Sequence, residues 1–76
     1  MVSKAAYQTA VESHSKVEKT HRIHLVSETQ SDGSVKYWTH NPFTGEDLDL
    51  ESVEFYDATV EAMALHPRAD LIGISN

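Results

Sequence analysis

The chain contains no cysteine, so neither disulfide cross-links nor thiolate metal sites can stabilise it. That absence weighs on a chain of 76 residues, because so short a polypeptide buries only about 60% of its unfolded surface and supports one thin core. Packing and self-association are the remaining sources of stability, which leaves a homodimer as an open expectation. Long apolar runs are missing too, and none approaches the length of a signal-peptide core or a bilayer span. With the missing cysteine, this predicts a soluble cytoplasmic protein without a membrane partner. Repeats, low-complexity tracts and linkers are absent, so residues 1–76 are read as a single domain.

Other scarcities narrow the function. The three glycines, Gly33, Gly45 and Gly73, stand alone, which excludes a glycine-rich phosphate loop. Nothing resembles a strand-to-helix nucleophile elbow, and so small a domain has little volume in which to enclose a substrate. The expectation is a protein that is not an enzyme and uses no cofactor. Basic residues are missing between Lys36 and Arg68. Residues 1–39 carry five basic against four acidic groups, a net of +1, whereas residues 40–76 set Arg68 alone against eight carboxylates, a net of −7. The resulting charge of −6 disfavours DNA, RNA and acidic membranes as direct partners. A nucleic-acid binder would have to rely on Lys16, Lys19, Arg22 and Lys36.

What is present reads as a small α+β domain. Val2, Ala6, Ala10, His14 and Val17 recur at helical spacing, with Ser3 as N-cap, predicting a helix from Ser3 to about Lys16. Thr20–Thr29 alternates, with His21, Ile23 and Leu25 on one face and Arg22, His24 and Val26 on the other. The Asp32-Gly33 turn then leads into Val35–His40, completing a β-hairpin. Asn41-Pro42-Phe43-Thr44-Gly45-Glu46 reverses the chain again. Asp47–Leu50 suits a short third strand or an extended lead into a helix. From Glu51 to Leu65, Val53, Tyr56, Val60 and Met63 or Ala64 form an apolar stripe opposite Glu51, Glu54, Asp57 and Glu61. His66-Pro67 ends that helix. Leu71–Ile74 is a final apolar strand, which implies burial on both faces or on one face plus a partner. The order is α-β-β-(β)-α-β, and the economical packing is a small antiparallel sheet of three to four strands with two helices on one face.

Two groups of residues stand out as candidate binding positions. Glu46, Asp47, Asp49, Glu51, Glu54, Asp57 and Glu61 concentrate negative charge without the interleaved lysines that ordinarily balance an exposed helix. Tyr37 and Trp38 are adjacent on a strand, so only one can face the core, and the outward one, with Trp38 as the candidate, suits an interface anchor. Five histidines invite a metal reading, but His21 and His24 stand three apart on a strand and face opposite sides, against the convergence zinc requires. No metal site is expected.

The stretch from Asp32-Gly33 through Tyr37-Trp38 to Asn41, Thr44, Gly45 and Glu46 resembles the middle of a WW domain, where an aromatic pair precedes an Asn-x-x-Thr-Gly-Glu turn. His24 and Leu48 stand near the places of that family's outer tryptophans, so the likeness is one of hairpin grammar. The three strands and helix also resemble the sheet-and-helix DNA-binding modules of some integrases and plant transcription factors. Those use a basic sheet, whereas Asn41–Leu65 is acidic here.

These features predict an acidic module that binds a protein with a basic surface. Small inhibitors of the anti-CRISPR and antirestriction kind act in this way, occupying sites meant for nucleic acid. The alternative is a structural or assembly protein that homodimerises through its C-terminal edge strand or its N-terminal helix.

Overall fold

A computed structural model describes residues 1–76. Its elements run α1 (Lys4–Ser15), β1 (His21–Thr29), β2 (Val35–His40), β3 (Asp47–Asp49), α2 (Phe55–Leu65) and β4 (Ala69–Ser75), the expected α+β order with the short third strand formed. No helix is long and apolar enough to cross a membrane.

Local chemistry sets each boundary. Ser3 caps α1, its Oγ accepting the Ala6 amide at 3.1 Å, and Lys19 folds its ammonium onto the carbonyls of His14 and Val17 beyond the other end. Both positions suit the helix dipole and its orphan backbone groups. In the hairpin turn, Gly33 takes φ +88°, while the Asp32 carboxylate accepts the Ser34 amide and hydroxyl at 2.9 and 2.6 Å. The second reversal is closed by Asn41, whose Oδ1 accepts the Phe43 and Thr44 amides, and by Gly45 at φ +77°.

The sheet order is β3-β2-β1-β4. β1 and β2 pair antiparallel, as do β2 and β3, but β4 runs parallel to β1. The sheet is therefore mixed rather than wholly antiparallel. α2 is the crossover that permits this, because parallel strands cannot be joined by a tight turn and need a longer connection, usually a helix. As an edge strand, β4 is not buried on both faces: Ala69 is buried and Leu71 half-buried, whereas Ile72 and Ile74 are exposed.

One face of the sheet carries the core, where Leu25 and Tyr37 meet Leu50, Ala58 and Ala62, with Ile23 and Ala69 also enclosed. α2 lies on this face through Ala58, Thr59 and Ala62. The expected inward stripe therefore needs correction. Val53 is 75% exposed, and Tyr56 stacks on Tyr7 of α1 with ring centroids 4.3 Å apart. Val60 and Met63 line a groove of about 300 Å³ shared with Ala10, His14 and Val17. Small residues let α2 approach the sheet, and its larger apolar residues serve α1. The helix also starts at Phe55 instead of Glu51, and the segment before it folds back along α2, where the Glu61 carboxylate accepts the amides of Glu51 and Ser52 at 3.1 and 3.0 Å. α1 packs on α2 and buries none of its own residues completely. The molecule is consequently flat, 38 × 32 × 16 Å, and the second face of the sheet has no helix over it.

Candidate functional site

Strand alternation decides which side chains reach the uncovered face. In β2, Tyr37 turns into the core and is 7% exposed, so Trp38 is the outward member of the aromatic pair and is half-buried there. Cross-strand register then fixes its neighbours. Trp38 lies between Val26 of β1 and Asp49 of β3, and Val26 is in turn paired with Ile74 of β4. The adjacent row runs Ile72, His24, His40, Asp47. The face thus grades from aliphatic at β4, through Trp38 and two imidazoles, to carboxylates at β3.

The acidic end has defined geometry. His40 Nδ1 and Asp47 Oδ1 are 2.6 Å apart, and the His24 and His40 rings lie 5.8 Å apart, centre to centre. Lys36 Nζ approaches Asp49 Oδ2 at 3.6 Å, with both side chains mostly in solvent, a contact of little energetic weight. Glu46 sits in the turn just before Asp47 and is exposed, its carbonyl accepting the Asn41 amide at 2.8 Å. These contacts hold β3 against β2 and leave most of the carboxylate oxygens in water.

The remaining acidic candidates separate into two kinds. Glu51 and Glu54 are exposed in the segment leading into α2. Asp57 and Glu61 are half-buried and occupied: Asp57 Oδ1 accepts the Val2 amide at 2.5 Å, and Glu61 accepts two amides and the Ser52 hydroxyl. Burial raises the Glu61 carboxyl, but the Ser52 hydroxyl and the Glu51 and Ser52 amides outweigh it, and its pKa is lowered from the ordinary value of 4.5. The single acidic helix face expected from the sequence does not assemble. The structure brings Trp38, Asp47 and Asp49 together on one sheet face, with Glu46 at its rim, and uses Asp57 and Glu61 to hold the fold.

Sequence reasoning did not name Val26, His24, His40, Ile72 or Ile74 as part of this face. The signal for the first two was present, since alternation already set His24 and Val26 opposite Ile23 and Leu25. No three His, Asp or Glu side chains converge closely enough to hold a metal ion. No protein-family model matches the chain, and no curated protein or solved structure does either.

Proposed function

We propose that the protein is a non-enzymatic, cytoplasmic binding module that docks the Trp38 end of its open sheet face on a basic protein surface, and that it acts as an inhibitor where that surface normally holds nucleic acid. The observation that carries this reading is the cross-strand row in which Trp38 stands beside Asp49, with Asp47 in the next row and Glu46 at the rim. An aromatic side chain offers a large contact area at low entropic cost, and a surrounding rim of carboxylates steers and orients a cationic partner. Exposed Glu51 and Glu54 extend the same field. Charge steering of this kind weakens as salt shortens the Debye length to about 8 Å under physiological conditions.

The test is a paired capture experiment with mass readout, in which Asp47→Lys/Asp49→Lys is compared with Glu12→Lys/Glu18→Lys. Both double variants change the net charge equally, and all four residues are exposed. A basic partner retained by the parent and by the Glu12/Glu18 variant, but lost with Asp47/Asp49, is the expected outcome. Equal loss in both variants would reduce the effect to net charge and overturn the site. Undiminished capture by the Asp47/Asp49 variant would overturn it as well.

A further inference from the structure

The two edges of the sheet are built differently. β3 is only three residues long and carries Asp47 and Asp49, the short, charged construction that discourages another strand from pairing. β4 has seven residues, Ala69–Ser75, and includes neither proline nor lysine. Arg68 O accepts the Thr20 amide at 2.8 Å, and the Asn76 amide donates to Ser27 O at 2.8 Å. The even-numbered residues of β4 therefore turn their backbone groups toward β1. By alternation, Leu71, Gly73 and Ser75 turn their N–H and C=O groups outward along a free edge, whereas Ala69 is enclosed and its amide donates to His66 O at 3.1 Å.

We infer that this edge pairs with a second copy of the chain, the two β4 strands running antiparallel about a two-fold axis through Ile72, so that two sheets become one. Three features favour a second copy over another occupant. First, this register sets the outward-facing Leu71 of each strand opposite Gly73 of the other, two pairs that exchange about four inter-strand hydrogen bonds. Second, Gly73 has nothing within 4 Å of the position its Cβ would occupy and does not have a left-handed φ, so nothing inside one chain requires glycine there. In the paired register the opposing Leu71 side chain lies beside that vacancy on the same face, while the two Ile72 residues meet on the other. Third, the charge is segregated. The acidic β3 edge lies three strand spacings from β4, so in the pair the two β3 edges stand roughly 34 Å apart, several Debye lengths at physiological salt. A chain of net charge −6 can thus self-associate through β4 while presenting one acidic edge at each end.

Sedimentation equilibrium of the full chain over a concentration series tests the pairing. The parent is expected to move from 8.5 kDa toward twice that mass. Gly73→Leu, whose Cβ meets no atom of its own chain within 4 Å, and Ile72→Lys, which sets like charges opposite each other at the two-fold axis, should each raise the dimer dissociation constant by at least ~10-fold, with circular dichroism like the parent's. Asp47→Lys/Asp49→Lys should leave the constant unchanged, which separates this inference from the acidic docking site. A parent that stays at 8.5 kDa at the highest concentration would overturn the proposal and leave the edge for a strand of another protein. A dimer weakened by Ile72→Lys but not by a folded Gly73→Leu would place the contact on the open face and overturn the strand pairing. If Gly73→Leu fails to fold, Ile72→Lys decides alone: a dimer constant like the parent's refutes the pairing.

Discussion

The Glu61 carboxylate accepts the Ser52 hydroxyl at 2.6 Å, tying the middle of α2 to the segment that enters it. Both Glu61 oxygens are used, since the Glu51 amide goes to one and the Ser52 amide to the other. These amides precede the helix and have no intrahelical partner, so the carboxylate satisfies backbone donors of the entering segment and fixes it against α2, while Glu54 at the N-cap makes no side-chain hydrogen bond of its own. Charge-assisted bonds to a carboxylate are stronger than neutral ones. Glu61→Ala should therefore destabilise the domain by about 1–2 kcal/mol, measured by urea unfolding at neutral pH.

The same group predicts an acid dependence. Its folded pKa lies below the unfolded one, so its contribution to stability is fully present above the ordinary value of 4.5 and disappears as pH falls through the folded value. Glu61→Gln removes the charge at every pH. The stability gap between parent and Glu61→Gln should close as the solution is acidified below that range, and a gap that is constant with pH would show that the carboxylate charge is not what holds the segment.

His66 also favours its deprotonated form in the folded state, which for imidazole is the neutral one. Burial lowers its pKa below the ordinary 6.5, the neighbouring His21 lowers it further, and Glu46 opposes the shift. Its Nε2 lies 3.2 Å from Thr39 Oγ1, and Thr39 is buried. The folded state favours neutral imidazole, so this contribution is present above the unfolded pKa and is lost as pH falls below about 6.5 toward the folded value. Melting temperature should decline between pH 7.5 and 5.5, and His66→Gln should flatten that part of the profile.

The α2 register yields a contrast between two substitutions. Ala58 and Ala62 have no exposed surface and touch Leu25, Tyr37 and Leu50 in the core, so Ala62→Leu overfills a closed contact and should cost about 1–3 kcal/mol. Val60 lines the groove against α1 and is half-buried. Val60→Asp should loosen α1, raising amide exchange in residues 4–15, while the sheet amides remain protected.

That contrast also shows where the sequence was readable. The β1–β2 hairpin followed from alternation and one Asp-Gly pair, and α1 from a serine cap and a periodic stripe, because each depends on neighbours in sequence. The Trp38 face was half legible: alternation required one of Tyr37 and Trp38 to point outward, but only the position of α2 decided which. The phase of α2 was misleading for a physical reason. The helix is used on two sides, and its most enclosed contacts are alanines, which barely register as hydrophobic, while Val53 and Tyr56 form a conspicuous stripe that does not face the sheet. The acidic face failed similarly, since nothing local reveals that Glu61 will bind amides ten and nine residues before it. The parallel pairing of β4 likewise depends on how α2 crosses the sheet.

The hairpin turn separates a glycine that the chain conformation requires from one it does not. Gly33 holds φ +88° in open surroundings, with nothing within 4 Å of an added Cβ, so the penalty for a side chain there is conformational and not steric. An L-residue forced into that region costs roughly 1–2 kcal/mol, and Gly33→Ala should lower stability by about that amount. Asn tolerates the left-handed region better than Ala, so Gly33→Asn should recover part of the loss. Gly73 has equally open surroundings but lacks a left-handed φ, and a β-branched residue suits a strand better than glycine. Under conditions where the chain is monomeric, Gly73→Val should therefore be neutral or slightly stabilising in the same denaturation assay. Opposite responses at Gly33 and Gly73 would locate the requirement for glycine at Gly33 in the backbone of the single chain, and equal losses at both would mean that β4 is more tightly confined within one chain than its free edge implies.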